Sequence, residues 1–418
     1  MQKSNEYDVI VLGAGAAGLA AAITAAKRET SKRTKVLLLE KLPSVGAKLR
    51  ATGGGRCNLT NTLSNDEFMG RFGRNGRFMS DALRAFDGHS LREFFASIGV
   101  QTHAPDGFRV FPVSHDSAHI VSALETEAGR VGVELVCNTK ADRLIIDNGV
   151  VYGVEAGGVA YECDSVIIAV GGMGYPRLGA EGDGYALAES ASHTIIPPSP
   201  AMLPLHTRET QFAVCRADTI PKAHIRIDMP KAKGLKAVGD LIFTSNGIRG
   251  PVVLDFAREI TPLLDKYGEV PLLVSLTQGM NEEQIRQKLK EGTAKNPHAN
   301  TIELLSYFLP LSVARVLCEM SGVNGGMPLG KAEGAKRDAL IKLLVAVPLT
   351  VIGHDGFKAA MITRGGVNLK EIDPKTMQSK LVRGLYFCGE VMDIDGPCGG
   401  YNLQWAFSSG YTAGLLQT

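Results

Sequence analysis

The hydrophobic pattern near the start of the chain predicts a strand, a tight turn and a helix in direct succession. Residues 9–12, VIVL, form a short apolar run rich in β-branched residues, which is typical of a strand buried on both faces. The pattern GxGxxG follows over 13–18, and an Ala-rich segment of high helix propensity comes next. A second apolar run at 36–39 predicts another buried strand. This part of the chain therefore has the pattern of an α/β fold.

The pattern continues with a mixture of helices and strands as far as residue 192. Turn residues separate the apolar segments: Pro105, Asp106 and Gly107 in one turn, then Asn148-Gly149 and Gly157-Gly158 in a three-stranded meander. Ser90 is the expected N-cap of one helix and Gly99 its terminator. The predicted helices are 76–86, 91–98, 117–130 and 185–192, and the predicted strands outside the meander are 133–136 and 164–170.

A Pro-rich segment at 195–200, IIPPSP, interrupts this pattern, and we expect a domain boundary there because such a segment cannot continue a helix. An apolar strand at 385–388 and a last helix at 402–416 resume the first pattern. We therefore expect a discontinuous domain, 1–198 with 355–418, and an inserted substrate or cap domain at 199–354 with a helical lobe over about 281–346. The insert has predicted strands at 223–227, 240–244 and 270–276, and predicted helices at 282–290, 302–308, 313–320 and 331–345.

The glycines of GxGxxG have distinct physical roles in a dinucleotide site. Gly13 permits the turn out of the strand, Gly15 lets backbone approach a pyrophosphate, and Gly18 lets the helix lie close to the sheet. Free N–H groups at the helix N-terminus favour phosphates. Glu40 lies about 20 residues further on, where an acid accepts hydrogen bonds from ribose hydroxyls. A 2′-phosphate would be repelled by Glu40, so the expected dinucleotide is FAD or NAD; the alternative is a Gly/Ala-rich core helix.

Composition and charge exclude several classes of protein. The formal net charge of +2 gives no reason to expect nucleic acid as a partner, and the basic cluster at 27–35 is interpreted as a solvated loop. The seven cysteines form no CxxC pair and are odd in number, which favours a reducing cytosol over a disulfide framework or zinc site. The uncharged run at 9–26 is mainly Gly and Ala and lacks a basic leader, so we expect no membrane segment and a cytoplasmic protein. No HExxH, paired metal ligands or GxSxG occurs, and we expect no metal.

Three consecutive glycines, Gly53, Gly54 and Gly55, indicate a loop whose backbone packs against a flat ligand. Lys48 and Arg56 bring positive charge to it, suitable for a pyrophosphate or an anionic flavin. The alternative is a flexible surface loop.

Three separated motifs carry a resemblance to a known family: GGGRCNLTN at 53–61, GYPRLGAEGDGY at 174–185 and LYFCGEVMDIDGPCGGYNLQWAFSSGYTAG at 385–414. Together with GxGxxG they resemble bacterial flavoproteins described as NAD(P)/FAD-dependent oxidoreductases, a family that includes an aminoacetone oxidase and the bile-acid-inducible reductase BaiN. The resemblance covers about 1–200 and 355–418. It implies a glutathione-reductase-type Rossmann FAD-binding domain with a β-meander, in which the strand after the meander returns to the main sheet.

The resemblance also implies non-covalent FAD and a set of residues that bind it. The first helix would hold the pyrophosphate, Glu40 the adenosine ribose, Ala141 the adenine, and Glu390 the ribityl chain. Asn402 and Leu403 would lie under the pyrimidine end of the flavin, where a helix N-terminus stabilises negative charge. The full expected set is Gly13, Gly15, Ala16, Gly18, Glu40, Lys41, Lys48, Gly54, Gly55, Arg56, Cys57, Asn58, Ala141, Gly171, Gly172, Gly389, Glu390, Asn402 and Leu403.

Candidate groups that act on a substrate are fewer. Cys57 is either a redox-active thiol whose pKa is lowered by Arg56 or a packing residue beside FAD. Tyr175 and Tyr401 flank glycine-rich turns and are candidates to donate a proton or stack on substrate. Arg109 is a candidate clamp for an anionic substrate, with an interdomain ion pair as the alternative, and His354 is interpreted as structural.

Two functions therefore follow from the sequence. The first is an enzyme that passes hydride between FAD and a small organic substrate, either as a reductase fed by NAD(P)H or as an oxidase that uses O₂. The absence of a second GxGxxG weakens the NAD(P)H version without excluding transient docking of nicotinamide on the flavin. The alternative is a flavin-bound sensor that is reduced once and stops.

Overall fold

A computed structural model describes residues 6–29 and 32–417, and the chain divides into two compact units. The first unit is Met1–Pro200 with Met361–Thr418, and the second is Ala201–Ala360. Elements up to the division are β1 (Glu6–Leu12), α1 (Ala16–Ala26), β2 (Val36–Leu39), α2 (Ala47–Ala51), β3 (Thr60–Asn61), α3 (Asn65–Gly70), α4 (Ser80–Ala85), α5 (Gly88–Ser97), β4 (Thr102–His103), β5 (Arg109–Pro112), α6 (Ser117–Val131), β6 (Glu134–Val136), β7 (Ala141–Asp147), β8 (Val150–Ala156), β9 (Val159–Ile168), α7 (Asp183–Ser190) and β10 (Ile195–Ala201).

The second unit follows, and the chain then returns to the first. The second unit contains β11 (Leu205–Thr207), β12 (Thr219–Ile227), β13 (Lys236–Phe243), β14 (Gly247–Arg249), α8 (Pro251–Tyr267), β15 (Val270–Ser275), α9 (Glu282–Lys295), α10 (Thr301–Ser306), α11 (Leu311–Ser321), α12 (Gly334–Val345) and β16 (Val347–Gly353). The returning segment adds β17 (Ile362–Val367), β18 (Leu385–Phe387) and α13 (Tyr401–Gly414).

The main sheet of the first unit is parallel through β6, β2, β1, β9 and β18. Its central strand β1 pairs with β2 and β9, with Val9 opposite both Val36 and Ser165. Because neighbours cover both edges and helices cover the faces, residues 9–12 are at most 1% exposed. The predicted Rossmann architecture is confirmed.

Strand β9 joins the meander to this sheet. Residues 159–162 pair antiparallel with β8, whereas residues 162–168 pair in parallel with β1. The prediction of a separate strand at 164–170 is therefore wrong, since one ten-residue strand serves both functions. Both predicted hairpin turns are confirmed, with left-handed φ at Asn148, Gly149, Gly157 and Gly158.

Helices α1 and α13 pack with their backbones in close contact. A Cβ atom at Gly410 would lie 2.3 Å from the carbonyl oxygen of Ala17, and one at Gly414 would lie 2.5 Å from that of Ala21. Small residues on both helices permit this approach. Consequently the N-termini of the two helices are held in a fixed relation within the same unit.

Other local expectations in the first unit need correction. The helix predicted from Leu91 begins at Gly88, because Asp87 and not Ser90 is the N-cap: the Asp87 carboxylate accepts the Ser90 N–H at 2.9 Å. The predicted helix over 76–86 is a 3₁₀ turn followed by α4. The Pro-rich segment 195–200, interpreted as an interruption, forms strand β10, which pairs with β17.

The second unit is organised around a closed antiparallel barrel with the strand order β11-β14-β13-β12-β15-β16. The predicted strands at 223–227, 240–244 and 270–276 belong to it, and helices α9 to α12 confirm the predicted helical segments. Strands β11, β14 and β16 and helix α8 were not predicted. Pro262 lies within α8, and a proline in a helical pattern argues against a helix when the sequence is considered alone.

Candidate cofactor site

A long cavity of the first unit lies at the carboxyl ends of its parallel strands, where open α/β sheets bind their ligands. Turns after β1, β2, β9 and β18 form its walls, together with the first residues of α13. The lining residues include Gly13, Gly15, Glu40, Lys41, Lys48, Thr139, Lys140, Ala141, Gly171, Leu178, Gly179, Asp183, Glu390, Asn402, Leu403 and Trp405.

The three glycines after β1 occupy the positions that their expected roles require. Gly13 has φ +93°, and a Cβ there would lie 2.8 Å from the carbonyl oxygen of Ala169. A Cβ at Gly18 would lie 1.8 Å from the carbonyl oxygen of Gly13, so this residue sets how closely α1 approaches the strand. A Cβ at Gly15, by contrast, would have no neighbouring atom within 4 Å, and Gly15 is the N-cap of α1 without a side-chain cap. The backbone at Gly15 is thus open to an anionic ligand.

Glu40, at the end of β2, is fixed by two backbone groups. Its Oε2 accepts the Ala14 N–H at 2.8 Å, and its Oε1 accepts the Leu42 N–H at 2.9 Å. Each carboxylate oxygen retains acceptor capacity after one hydrogen bond. The carboxylate is therefore held between the turn after β1 and the turn after β2, and it can accept further hydrogen bonds from hydroxyl groups.

A network of lysines and carboxylates closes one end of the cavity. Lys41 Nζ pairs with Glu181 at 2.7 Å and with Asp183 at 2.5 Å, and Lys140 Nζ also pairs with Asp183 at 2.7 Å. Partial burial raises the pKa of Asp183, but hydrogen bonds from Lys140 and Lys41 outweigh it and hold the pKa below its usual range. These ion pairs connect the segment that carries Glu181 and Asp183 to Lys140, which lies next to Ala141 on the cavity wall.

A second network supports the middle of the cavity. Glu390 Oε2 accepts from Lys48 Nζ at 2.7 Å, and Oε1 accepts the Thr363 N–H at 2.8 Å. The buried Thr363 hydroxyl oxygen accepts the N–H groups of Met173 at 2.7 Å and Gly174 at 3.2 Å. Lys48, Glu390 and the turn after β9 are therefore held as one structure.

The N-terminus of α13 forms the other end. The Asn402 side chain accepts the Gly396 N–H at 2.8 Å and donates to the Gly396 carbonyl at 2.8 Å, which fixes the preceding loop. Leu403 and Trp405 contribute to the wall. The buried Trp405 Nε1–H has no acceptor among the described residues, as expected if a bound molecule supplies one.

These features fit a dinucleotide with a second ring system. The N-termini of α1 and α13 border one cavity through Ala16 and Asn402, and each favours negative charge. A carboxylate at the ribose position and a buried unpaired donor add to the fit. The residues present thus suit FAD: the open backbone at the start of α1 suits a pyrophosphate, and the N-terminus of α13 suits a ring that gains negative charge on reduction.

The structure brings most of the expected cofactor residues together and leaves some outside the cavity wall. Those on the wall are Gly13, Gly15, Ala16, Glu40, Lys41, Lys48, Ala141, Gly171, Gly389, Glu390, Asn402 and Leu403. Those away from it are Gly18, Gly54, Gly55, Arg56, Cys57, Asn58 and Gly172.

Two of the residues away from the wall have a supporting position. In the orientation that satisfies its neighbours, the Asn58 amide donates to the carbonyls of Thr60 and Val110 and accepts the Gly400 N–H at 3.0 Å. A Cβ at Gly172 would lie 2.5 Å from the Thr363 hydroxyl oxygen. Asn58 thus anchors the loop before α13, and Gly172 lets the turn after β9 approach Thr363.

Sequence reasoning missed Thr139, Lys140, Asp183, Thr363 and Trp405. Asp183 was visible within the motif GYPRLGAEGDGY, but its lysine partners are far away in sequence. Trp405 follows Leu403 on α13, so the expected position of that helix was the available signal.

The proposed activation of Cys57 is wrong. Burial raises the pKa of its thiol to about 12, and the side chain is 0% exposed. Arg56 does not lower the pKa, because its guanidinium lies over the Phe111 ring and its Nε donates to the Gly53 carbonyl at 3.2 Å.

The remaining candidates lie in different surroundings. The Tyr401 ring is 4% exposed and packs against Phe68 at a centroid distance of 4.9 Å, which places it in the core and not on the cavity wall. Arg109 is exposed and pairs at 2.6 Å with Asp106, three residues away in the same unit. Tyr175 is half-buried with left-handed φ of +57°.

His354 lies in the second unit, where its Nδ1 accepts the Gly356 N–H at 2.9 Å, consistent with a structural role. Of the helices within residues 6–29 and 32–417, none has both the length and the apolar character that a membrane crossing requires.

Comparison with known proteins identifies the family. A sequence profile described as "HI0933-like protein Rossmann domain" matches residues 7–416. The chain belongs to the HI0933-like family. A relative from Clostridium scindens named 3-dehydro-bile acid delta(4,6)-reductase is 33% identical to this HI0933-like protein over 405 residues, 97% of each chain. The resemblance predicted from the motifs is confirmed.

Two further comparisons extend the picture. A Haemophilus influenzae relative named ribosomal RNA dihydrouridine synthase is 28% identical over 409 residues, 97% of each chain. A structure of 3-ketosteroid delta1-dehydrogenase from Sterolibacterium denitrificans, in complex with 1,4-androstadiene-3,17-dione, has a TM-score of 0.55 at 14% identity. It covers 98% of the HI0933-like chain and 99% of its own, which shows that the two proteins share a fold.

Proposed function

We propose that this HI0933-like protein is an FAD-dependent oxidoreductase that adds hydrogen across a carbon–carbon double bond of a small organic substrate. The observation that carries the proposal is the cavity of the first unit, which combines two helix N-termini, the fixed Glu40 carboxylate and the open backbone at Gly15. An adenine dinucleotide with a redox-active ring accounts for all of these features together.

The names of the relatives favour a reductase over an oxidase. A delta(4,6)-reductase and a dihydrouridine synthase are both named for reactions that saturate a carbon–carbon double bond. The relatives match this chain over 97% of its length, so the comparison covers both of its units. We therefore favour a reductase that saturates a double bond with electrons from NAD(P)H over an oxidase that uses O₂.

FAD, when bound, supplies the ring that carries hydride in either direction. On this proposal the backbone at Gly13 and Gly15 and the N-terminus of α1 bind the pyrophosphate, and Glu40 accepts hydrogen bonds from the ribose. Ala141 contacts the adenine. The helix N-terminus at Asn402 stabilises negative charge by roughly 0.3–1 kcal/mol, and by more where water is excluded.

Lys48 and Glu390 form the charged part of the wall between these ends. Because Glu390 holds Lys48 at 2.7 Å, the ammonium group has a defined position and its charge is largely compensated. Glu390 also retains acceptor capacity for the hydroxyls of a ribityl chain. Of the two tyrosines, neither of which lines the cavity, we keep Tyr175 as the candidate proton donor, because it is half-buried in the segment that follows the wall residue Gly171, whereas the Tyr401 ring is enclosed among phenylalanines.

The second unit, Ala201–Ala360, remains our candidate for the part that selects the substrate. The residues assigned to the cofactor all belong to the first unit, so the barrel and helices of the second are left for another role. Exchange of this unit between HI0933-like proteins would test the assignment: substrate preference should follow the barrel and FAD affinity should not.

The decisive experiment begins with the absorbance spectrum of the purified protein. Bound FAD should give flavin bands, and anaerobic NADH or NADPH should bleach them. Addition of a conjugated enone should then restore the oxidised spectrum and give repeated turnover. A colourless protein that does not bind added FAD would overturn the proposal, whereas reduction once per flavin without turnover would favour a sensor, and rapid reoxidation by O₂ alone would favour an oxidase.

A further inference from the structure

The chain contains one GxGxxG fingerprint, and Glu40 disfavours a 2′-phosphate beside it. If FAD occupies that site, a nicotinamide dinucleotide needs other partners for its phosphates. Suitable partners are exposed cationic side chains near the α13 end of the cavity, where the proposed function places the flavin ring.

One cluster there surrounds the ring of Phe111. The Arg56 guanidinium carbon lies 5.5 Å from the ring centroid and that of Arg109 lies 6.0 Å from it. The His115 ring centroid is 5.8 Å from the same ring, and its Nε2 lies 2.9 Å from Nε2 of His103. We call these five residues the Phe111 cluster.

The cluster is connected to the cavity by the glycine-rich loop. Thr52 is on the cavity wall, and Gly53 directly after it would place a Cβ 3.8 Å from the Phe111 ring. Asn58, at the end of the same loop, binds the Gly400 N–H just before α13. The Phe111 cluster therefore lies next to the end of the cavity that α13 forms.

The charge in this cluster is unevenly compensated. Arg109 pairs with Asp106, but no carboxylate of the described residues forms an ion pair with Arg56. Asp116, the nearby acid, caps α6 through a 2.8 Å hydrogen bond from the Ala118 N–H. Arg56 is exposed, and within the described part of the chain Nε is the only guanidinium nitrogen held by a backbone acceptor, so the terminal N–H groups remain available.

Segment 71–77, which packs against the loop before α13, adds to the positive surface, while that loop itself carries Asp393 and Asp395. Phe72 packs against Gly396, and Asn75 donates to the Asp393 carbonyl at 2.7 Å. Segment 71–77 carries three exposed arginines, none of which forms an ion pair with a described carboxylate: Arg71, Arg74 and Arg77. This end of the unit thus has cationic groups on two segments that both contact the approach to α13.

We propose that Arg56, supported by the Phe111 cluster, binds a phosphate group of the nicotinamide dinucleotide that reduces FAD. The inference rests on the proposed function, because it places the flavin ring at the α13 end. A guanidinium can bind phosphate through two parallel hydrogen bonds, and that of Arg56 packs over the Phe111 ring at 5.5 Å. Transient docking at an exposed arginine is compatible with a donor that must leave after each hydride transfer.

The test measures anaerobic reduction of the FAD-loaded protein by NADPH and by NADH in a stopped-flow instrument. For Arg56→Ala we expect the half-saturating dinucleotide concentration to rise about tenfold, with a limiting reduction rate within twofold of the unmodified protein. Arg56→Lys should recover part of the loss because it keeps the charge but not the planar donor pair. Arg383→Ala, which removes another exposed arginine of the same unit beside the β7–β8 turn, is the matched control and should change nothing.

The two donors identify which phosphate is bound. A rise confined to NADPH assigns Arg56 to the 2′-phosphate, and an equal rise for both assigns it to the pyrophosphate; either result supports the inference. Half-saturating concentrations within twofold of the unmodified protein for both donors overturn it. It is also overturned if neither donor reduces the bound FAD while dithionite-reduced enzyme is reoxidised by an enone, a result that leaves the proposed function intact. Failure to bind FAD at all refutes the proposed function itself.

Discussion

Gly18→Ala and Gly15→Ala each add one methyl group, at positions three residues apart. We expect the first to destabilise the fold and the second to weaken cofactor binding. At Gly18 the new Cβ would be 1.8 Å from the Gly13 carbonyl oxygen and 3.3 Å from the Ala169 Cβ. A Cβ essentially never lies closer than 3.0 Å to such an atom, so α1 has to move away from the sheet by roughly 1 Å. At Gly15 nothing lies within 4 Å, and φ of −82° suits alanine.

The magnitude follows from packing. Insertion of a methyl group into a filled site typically costs about 1–3 kcal/mol, and contact with backbone places Gly18→Ala at the upper end. Alanine returns up to about 1 kcal/mol through its helix propensity. We therefore expect a net loss of about 2 kcal/mol, which lowers the Tm of the FAD-free protein by about 4–8 °C for a unit of this size.

Gly15→Ala should leave that Tm unchanged and act on cofactor affinity alone. Its methyl group occupies the space through which the phosphates approach the backbone, and a loss of about 1.4 kcal/mol raises the Kd for FAD about tenfold. Thermal unfolding without FAD and fluorescence titration with FAD measure the two effects. The reasoning fails if Gly18→Ala unfolds at the temperature of the unmodified protein, or if Gly15→Ala destabilises the FAD-free protein equally.

Four further outcomes are expected. Glu40→Gln should weaken FAD binding about tenfold by calorimetric titration, because the charge that strengthens its hydrogen bonds is lost; unchanged affinity would remove Glu40 from the site. Cys57, whose pKa is raised to about 12, should resist iodoacetamide at about pH 8 until the protein is denatured, and mass spectrometry of the folded protein would reveal any labelling. Hydrogen bonding from Arg130 lowers the pKa of Glu127 to about 2. The ionised Glu127 therefore stabilises the fold above the pKa of the unfolded chain, and this stabilisation is lost as the pH falls toward 2. Between about pH 5 and 2, the Tm of Glu127→Gln should decline less than that of the unmodified protein. Tyr175→Phe should lower kcat about 100-fold at unchanged FAD affinity if the tyrosine donates the proton, and a kcat within twofold would exclude that role.

The parts of the fold that the sequence predicts well are those encoded by local pattern. The first βαβ segment and the meander turns depend on residues close together in sequence, such as Gly13 and Asn148. Closure of the barrel could not be predicted, because β11 and β14 have only three residues each and gain their hydrogen bonds from strands far along the chain. Short strands carry little periodicity of their own.

The same distinction applies to the cofactor site. Glu40 could be predicted because its distance from the glycine motif is set by the size of a βαβ unit. The sequence could not predict the roles of Asp183, Lys140 and Thr363, because each role depends on partners that only folding brings close. Chemistry inferred from neighbours in sequence was the least reliable: Arg56 comes directly before Cys57, yet one side chain lies at the surface and the other is buried.

The pairing of β10 with β17 has an evolutionary consequence. The two strands lead out of the first unit and back into it, and they lie side by side as a two-stranded ladder. A chain that leaves and re-enters at adjacent points can gain, lose or exchange everything in between without being re-threaded. Because β10 and β17 remain paired, the inserted domain can be replaced by another during evolution while the fold of the first unit is unchanged.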